Sequence, residues 1–388
     1  MSWAIWITGL PGSGKSAVAR AAADELRRLG RPVMRLELDE IRKSITPHPR
    51  YTDAERDVVY RALTYLAAVL TEAGVPVLID ATAHRRAWRD LARTVIPHFA
   101  EVQLVCPLEV CQERERTRPL GHAPRDIYHQ AGSPGATVPG VNVPYEAAAS
   151  PEVVIDTGGA SVAEGAARVV QLAQELAARA GGGASLPAAE PAEPGWAVWL
   201  TGRPGSGKST LAMRVAHALA ARGVHPRVLD HASVRGFLLG DGAIGAGEQD
   251  FLYRVLAYAA KVLTEAGVSV IVDATASRRV WREAARALIP GFAEVQLLCP
   301  AEICLERERA VRWGFASGLD VHRGVTARGL DIVLDYEESL HPDLALRTDV
   351  HDVRTAVQQI LLLVERLRSA LANRLETPKR GMPCSSER

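Results

Sequence analysis

The sequence predicts an α/β protein made of two tandem domains, each a parallel β-sheet with helices on both faces. Short apolar runs alternate with longer segments at helical spacing, which is typical of a parallel sheet covered on both sides. A glycine-rich stretch follows the first apolar run of each half. The second half also repeats the first at a constant offset of 193 residues, from Lys15 and Lys208 to Cys106 and Cys299.

This repeat sets the domain boundaries. We expect a first domain over residues 1–180, a Gly/Ala/Pro linker over 181–194, a second domain over 195–375 and a disordered tail over 376–388. Each half is long enough to bury its own core.

Composition narrows the function classes. A net charge of +1 disfavours a nucleic-acid partner, and the sequence has no apolar run long enough for a membrane span. Because the sequence starts on its first predicted strand, we expect no signal peptide. Cys106, Cys111, Cys299 and Cys304 form a repeated pair that we interpret as core residues rather than metal ligands. These features predict a cytoplasmic protein.

The glycine-rich stretch has the spacing G-x-x-x-x-G-K-S, between an apolar strand and an Ala/Leu-rich helix. In this setting the pattern predicts a phosphate-binding loop (P-loop) for ATP, and an incidental glycine turn is the alternative. The lysine would reach the β- and γ-phosphates, and the serine after it would hold Mg²⁺. The predicted loop residues are Gly9, Pro11, Gly12, Ser13, Gly14, Lys15 and Ser16, and in the second half Gly202, Gly205, Ser206, Gly207, Lys208 and Ser209.

Further elements follow in the order of an alternating fold. The predicted strands lie at 33–39, 75–80, 101–106 and 151–157, and the predicted helices at 55–73, 85–95, 108–116 and 162–180. Residues 117–150 lose periodicity and gain Gly, Pro and His, which suggests a substrate lid. The second half ends with a predicted helix at 353–371.

Two more repeated features suit phosphoryl transfer. Asp80 and Asp273 each end an apolar strand, which is typical of a Mg²⁺-binding Walker B acid or, alternatively, of a helix N-cap. Arginines at helical spacing follow them: Arg85, Arg86, Arg89 and Arg93, matched by Arg278, Arg279, Arg282 and Arg286. These could stabilise transferred charge, with Arg89 as the catalytic candidate, or form a solvated helix face.

The two halves differ at a second group of positions. Asp39 is replaced by Ala232, Tyr51 by Ile244 and Arg56 by Gln249. The second half therefore lacks an acid, an aromatic ring and a cation at these three positions, and Asp230 is the neighbouring acid that could restore the first of them.

With these residues in place, the first half resembles the adenylylsulfate kinase (APS kinase) family. Those P-loop enzymes phosphorylate the 3′-hydroxyl of adenosine 5′-phosphosulfate with MgATP. The resemblance rests on segments 36–42, 51–56, 125–131, 138–148 and 151–157, of which Pro144-Tyr145-Glu146 and Asp156-Thr157 are the most family-specific.

The resemblance implies roles for single residues. Asp39 would orient and deprotonate the acceptor hydroxyl, Arg42 and Arg56 would bind its phosphosulfate, and Tyr51 would stack on its adenine. Tyr145 would also contact the substrate. Because family members form homodimers, the resemblance implies a homodimer or an internal pseudo-dimer of the two halves.

Departures from the family pattern leave other functions open. Val138 stands where the family has an aromatic residue, and Asp80-Ala81-Thr82 is closer to a D-A-T element of other small P-loop kinases. On the resemblance of the whole first half, we nevertheless predict an APS-kinase-like enzyme of sulfate activation. The alternatives are a kinase for another nucleotide or small alcohol, and an ATP-binding switch without an acceptor. We expect the second half to bind ATP but to turn over poorly.

Overall fold

The computed structural model describes residues 1–117, 127–132, 136–181, 195–240, 242, 247–316 and 336–376. The expected linker and tail lie outside these residues except for Gly181 and Glu376. Within the described part of the chain, none of the helices is both long enough and apolar enough to cross a bilayer.

The first half folds around a five-stranded parallel sheet. Its strands are β1 (Ala4–Thr8), β2 (Met34–Glu37), β3 (Val77–Asp80), β4 (Phe99–Val105) and β5 (Val153–Asp156). They lie in the order β2-β3-β1-β4-β5, with every pair parallel. The chain moves outward from β1 to β2, returns through β3 and then crosses β1 to reach β4. Such a reversal opens a crevice at the carboxyl ends of the strands, where α/β proteins bind ligands.

Helices cover both faces of this sheet. They are α1 (Lys15–Arg28), α2 (Leu38–Ile45), α3 (Asp53–Glu72), α4 (Arg86–Val95), α5 (Leu108–Thr117) and α6 (Val162–Arg179), with a 3₁₀ turn at His129–Gly132. Local signals fix their starts: the Thr52 hydroxyl accepts from the Glu55 amide at α3, and Ser161 and Glu164 form a capping box at α6.

Alternate residues of β1 supply the two halves of the core. Ile5 and Ile7 pack with α1 and α6 in one apolar layer. Trp6 points to the other face, where its ring lies 6.4 Å from that of Tyr60 on α3. Tyr60 in turn stacks on Trp88 of α4 at 4.2 Å. Burial on both faces explains why β1 is apolar from Ala4 to Ile7.

The sequence prediction missed one helix. Residues 33–39 were expected to be a single strand, but Leu38 and Asp39 belong to α2, which starts directly after β2. Leu38, Ile41 and Ile45 are buried at helical spacing, a pattern that the short segment hid. The other predicted elements are present, with ends that shift by a few residues.

The second half repeats this architecture. Its strands are β6 (Ala197–Gly202), β7 (Arg227–Asp230), β8 (Val270–Asp273), β9 (Phe292–Leu298) and β10 (Leu344–Arg347), all parallel in the order β7-β8-β6-β9-β10. Its helices are α7 (Lys208–Ala220), α8 (His231–Leu239), α9 (Glu248–Glu265), α10 (Arg279–Leu288), α11 (Ala301–Ala316) and α12 (Val353–Glu376). The predicted fold class, two tandem parallel α/β domains, is confirmed.

The chain forms two compact units whose boundaries differ from those of the sequence repeat. One unit contains the described residues of Met1–Pro191 together with Ala232–Val262, and the other those of Ala192–His231 and Leu263–Arg388. Helices α8 and α9 thus group with the first sheet, where the Phe237 ring lies 5.5 Å from that of Tyr65.

Candidate active site

The glycine-rich stretch forms a tight loop between β1 and α1. Gly9, Gly12 and Gly14 all have positive φ, at 151°, 75° and 95°. A side chain at Gly9 would meet the Leu104 carbonyl at 2.8 Å. Glycine is therefore required for both backbone conformation and space. Gly14 caps α1, so the amides of the first helical turn and the positive end of the helix face the loop, as an anion site needs.

Lys15 begins α1 and folds back over the loop. Its ammonium donates to the carbonyls of Gly9 at 3.1 Å and Leu10 at 2.9 Å, and the residue is 9% exposed. This holds a buried cation within the loop. Ser13 is fully buried, and no described residue hydrogen bonds its hydroxyl. The loop thus combines a preplaced positive charge with a donor available to a ligand.

Asp80 ends β3, the strand beside β1, and lies at the same edge of the sheet. The Ser16 hydroxyl hydrogen bonds its carboxylate, while burial raises the carboxyl pKa despite the nearby Lys15 ammonium. Its Oδ2 accepts no hydrogen bond from any described residue, and the Arg35 guanidinium lies 3.5 Å away. A hydroxyl beside an under-satisfied buried carboxylate offers the oxygen ligands that Mg²⁺ prefers.

Groups from distant segments brace the loop. Thr157, which follows β5, is buried and donates from its hydroxyl to the Ser13 carbonyl at 2.9 Å. Tyr128 donates to the Pro11 carbonyl at 2.8 Å. A side chain at Gly12 would clash with the backbone of Cys111 at the start of α5. Sequence reasoning gave no physical role to Thr157 or Tyr128, because pairing over more than 100 residues leaves no local pattern.

Asp39 lies in the first turn of α2, two residues beyond Glu37. Glu37 is in register with Asp80, so Asp39 follows the carboxyl edge of the strand next to β3. The residue is partly buried. The predicted base thus lies on the strand-end edge that carries the phosphate loop.

An aromatic ring and two guanidinium groups gather beyond Asp39. Tyr51 adopts the left-handed region at φ 55°, and the guanidinium carbons of Arg42 and Arg56 lie 5.2 and 6.0 Å from its ring centre. Arg42 also pairs with Glu55 at 3.2 Å. Asp39 contributes to the electrostatic field at Tyr51. The structure therefore brings together four of the five residues that the family resemblance placed in the acceptor site.

Arg56 carries a buried donor that meets no acceptor in the part of the chain that the structure describes. Its Nη2 donates to the Thr137 carbonyl at 3.1 Å, but Nη1 is buried with no hydrogen-bond partner in the described chain. Burial lowers the pKa of this guanidinium. An unsatisfied buried donor of this kind is characteristic of a site that completes itself with an anion.

His84 is a site residue that the sequence analysis did not identify. It is 5% exposed, and burial together with the Arg56 and Arg85 charges lowers its pKa from 6.5 to about 4. Its ring stands edge-on to Trp88 at 5.0 Å. His84 is therefore neutral at pH 7 and can accept or donate a hydrogen bond beside Arg56 without adding charge.

Arg89, predicted as catalytic, is fully buried, and its guanidinium is hydrogen bonded to three acceptors of the protein. Its guanidinium donates to the Glu101 carboxylate at 2.5 Å, to the Glu146 carbonyl at 2.5 Å and to the Ala83 carbonyl. Ala83 has φ 40°, so Arg89 holds a strained turn just after Asp80. This geometry suits a residue that positions its neighbours, and a catalytic role for Arg89 stays a prediction; its burial was not visible in the sequence, because an exposed and a buried arginine look alike in a helical repeat.

Tyr145 also lies deeper than expected. Its hydroxyl shares a 3.0 Å hydrogen bond with Thr8, the last residue of β1, and the Arg89 guanidinium lies 5.6 Å from its ring centre. The Glu146 carboxylate accepts from the Arg86 amide at α4. Tyr145 forms part of the wall behind the phosphate loop, and a contact with substrate stays a prediction.

The second repeat preserves the loop. Gly202, Gly205 and Gly207 have φ of 149°, 77° and 96°, close to their counterparts. Lys208 donates to the carbonyls of Gly202 and Arg203 at 3.1 and 3.0 Å, and Ser209 hydrogen bonds Asp273. Ile244, the counterpart of Tyr51, lies outside the described residues.

Comparison with known proteins identifies the family to which both repeats are similar. The sequence model of the adenylylsulphate kinase family matches residues 1–156 and 194–346. The chain is 34% identical over 161 residues to an adenylyl-sulfate kinase of Synechococcus sp. strain JA-3-3Ab, covering 41% of this chain and 87% of that protein. It is 34% identical over 160 residues to a probable adenylyl-sulfate kinase of Archaeoglobus fulgidus, covering 40% and 97%.

A longer relative and a solved structure also match. A probable bifunctional SAT/APS kinase of Sorangium cellulosum is 33% identical over 173 residues, which cover 44% of this chain and 28% of that protein. The structure of the Mycobacterium tuberculosis APS kinase in complex with AMPPNP and APS is 27% identical, with a TM-score of 0.37, and covers 44% of this chain and 98% of that one.

The parallel sheets, the two phosphate loops and their lysines define a P-loop enzyme of the kinase type that uses ATP. Because the family match extends over both repeats, the chain belongs to the adenylylsulphate kinase family.

Proposed function

We propose that the first repeat transfers the γ-phosphate of MgATP to the 3′-hydroxyl of adenosine 5′-phosphosulfate, as a step in sulfate activation. The observation that carries the proposal is the cluster of Arg42, Tyr51 and Arg56 beyond Asp39, on the same sheet edge as the phosphate loop. A planar, doubly anionic nucleotide matches an aromatic face flanked by two guanidinium groups.

The donor half of the site is built from the loop. Its amides and the Lys15 ammonium would hold the β- and γ-phosphates and stabilise their negative charge during transfer. Ser16 and Asp80 would hold Mg²⁺, which supplies charge neutralisation between the phosphates when bound. The raised pKa of Asp80 supports this role, because a buried carboxylate is better stabilised beside a cation.

The acceptor half supplies position and a proton acceptor. Asp39 would hydrogen bond the acceptor hydroxyl, orient it toward the γ-phosphate and take its proton as the new O–P bond forms. The Nη1 of Arg56, which has no hydrogen-bond partner among the described residues, supports binding of the anionic part of the acceptor. Most of the catalysis in such a reaction comes from positioning and charge stabilisation, which these groups provide.

One observation keeps a second acceptor class in view. Val138, where the family has an aromatic residue, is buried, and its amide donates to Asn142 Oδ1 at 3.0 Å. A valine offers a planar base less stacking than an aromatic ring. Another nucleotide or a small alcohol is therefore the alternative acceptor, and a panel of such hydroxyl compounds belongs in the assay.

The test is ADP release from MgATP by the purified chain, with and without adenosine 5′-phosphosulfate. We expect release that requires the acceptor and is lost in Lys15→Ala. Release that another hydroxyl compound supports better would replace the acceptor. Release that survives in Lys15→Ala and disappears in Lys208→Ala would move the activity to the second repeat. ATP binding without release for any acceptor would favour a switch.

Association and location belong to the same proposal. We propose that the enzyme works in the cytoplasm, as a homodimer or as an internal pseudo-dimer of its two repeats. Light scattering of the purified chain separates the two, because only the homodimer doubles the mass of 41.8 kDa.

A further inference from the structure

The second repeat contains a complete phosphate-binding loop of its own. Its glycines, its folded-back lysine and its strand-end acid match those of the first loop in conformation and in hydrogen bonds. Ser206 is fully buried, and its hydroxyl finds no partner among the described residues, as at Ser13. A loop, a buried cation and an unsatisfied donor that are all retained indicate a site that still takes a polyphosphate.

The buried charges of this loop also call for a ligand. Lys208 is 8% exposed and donates to the carbonyls of Gly202 and Arg203, while Asp273 ends β8 beside the loop strand β6. A nucleotide polyphosphate accompanied by a divalent cation places opposite charge beside both groups. The geometry of the loop is thus consistent with binding and not merely with an inherited turn.

Arg203 adds a positive charge to the second loop. It stands where the first loop has Leu10, and its guanidinium lies 5.6 Å from the Tyr336 ring centre and 3.9 Å from the Glu338 carboxylate. Leu10 instead approaches the turn at Gly140. An added cation beside a phosphate loop strengthens attraction for an anion, so this substitution favours retention of nucleotide.

The residues for phosphate transfer have been replaced in this repeat. Ala232 and Gln249 occupy the positions equivalent to Asp39 and Arg56, so the repeat lacks both the proton acceptor and one cation at those positions. Neither alanine nor glutamine can take a proton from a hydroxyl or neutralise a sulfate or phosphate.

Arg235, the counterpart of Arg42, is engaged by its own segment. It pairs with Glu248 at 3.2 Å and donates to the carbonyls of Gly240 and Gly242 at 3.3 and 3.2 Å. A guanidinium bound to two backbone carbonyls and a carboxylate has few donors left for an anionic acceptor. The second repeat has therefore kept the donor half of the site and given up the acceptor half.

We propose that the second repeat is a nucleotide-holding site: it binds ATP with a divalent cation through Gly202–Ser209 and Asp273 and does not transfer the phosphate. This goes beyond the function proposed for the first repeat and does not depend on the identity of that repeat's acceptor. The two loops serve as matched controls for each other.

The experiment is equilibrium dialysis of labelled ATP with Mg²⁺ against wild type, Lys15→Ala, Lys208→Ala and the double variant. We expect two bound ATP per wild-type chain, one in each single variant and none in the double variant. The Lys15→Ala chain should release ADP no faster than the double variant, with or without adenosine 5′-phosphosulfate.

Two results would overturn the proposal: no ATP bound by folded Lys15→Ala, or acceptor-dependent ADP release by that variant. If a variant fails to fold, the wild type is labelled to saturation with 8-azido-ATP and the labelled peptides are mapped. Labelled peptides from both repeats support the proposal, and label confined to the first repeat contradicts the proposal. A failure of the function proposed for the first repeat gives a different result. Adenosine 5′-phosphosulfate would then not increase ADP release by the wild type, while Lys15→Ala would still bind one ATP.

Discussion

Replacing Arg89 with methionine tests whether this arginine positions the site or takes part in the chemistry. The side chain is fully buried, and the Glu101 carboxylate that it pairs with belongs to a residue only 3% exposed. Removing one partner of such a pair leaves an uncompensated buried charge, which costs about 3–5 kcal/mol. A loss of this size is a large share of the stability of an ordinary domain.

Equilibrium urea unfolding followed by tryptophan fluorescence measures this loss. We expect Arg89→Met/Glu101→Leu to recover part of it, because the double variant removes the orphaned carboxylate. Arg282→Met is the matched control, since Arg282 pairs with Glu294 at 2.9 Å and is equally buried. It should destabilise the chain by a similar amount.

The pH dependence gives an independent check. Burial already raises the pKa of Glu101, and Arg89 is the nearest charge that lowers it. Without Arg89 that pKa rises further, so the unfolded state ionises at a lower pH than the folded state. Stability of the variant is then lost as pH rises from the Glu101 pKa of the unfolded state to the higher Glu101 pKa of the folded state. The free energy of unfolding of Arg89→Met should therefore fall further below that of the wild type at pH 8 than at pH 5. If Arg89→Met unfolds at the same urea concentration as the wild type but no longer releases ADP, the positioning role is refuted.

Three further predictions concern the site itself. Tyr51→Ala and Arg56→Gln should each raise the acceptor KM about tenfold or more, with a smaller effect on the ATP KM, because each removes a face or a charge from the acceptor side only; initial-rate kinetics decide, and equal effects on both substrates would contradict it. His84→Asn should lose less stability than wild type between pH 6.5 and 4, where the lowered pKa of His84 makes folding weaken by about 1.4 kcal/mol per pH unit; parallel urea curves for the two would contradict it. Gly12→Ala should lose one of two bound ATP and Gly205→Ala the other, since both positions combine positive φ with backbone contact; dialysis that still shows two would contradict it.

The sequence predicted the elements whose signals are local. The phosphate loops, the apolar strands and the long helices each have a period or a motif within a short window. Helix α2 was missed because its eight residues follow β2 without a break, and an apolar start looks the same in either state. A short segment is assigned by what packs against it, which sequence does not show.

The acceptor cluster was predictable only by resemblance to a family. Arg42, Tyr51 and Arg56 lie on α2, a loop and α3. Nothing in their spacing indicates that the two guanidinium groups lie beside the Tyr51 ring. His84 and Thr157 escaped notice because their contacts span distant segments: the Thr157 hydroxyl donates to the Ser13 carbonyl, and the His84 carbonyl accepts from the Glu146 amide. The burial of Arg89 was not predictable either, because its helical spacing suited both a catalytic role and a solvated face, and its bonds to Glu101 and two backbone carbonyls leave no local pattern.

The central claim, that the first repeat phosphorylates a nucleotide hydroxyl with Asp39 as its proton acceptor, is tested most directly by following the label of γ-³²P-ATP. Wild type and Asp39→Asn are incubated with Mg²⁺ and adenosine 5′-phosphosulfate, and the products are separated by chromatography. The account predicts label on the 3′-oxygen of the acceptor with wild type and at least a hundredfold slower labelling with Asp39→Asn, which keeps the size of the side chain but not its basicity. Label that appears only as inorganic phosphate, or equal labelling by the two proteins, would contradict it.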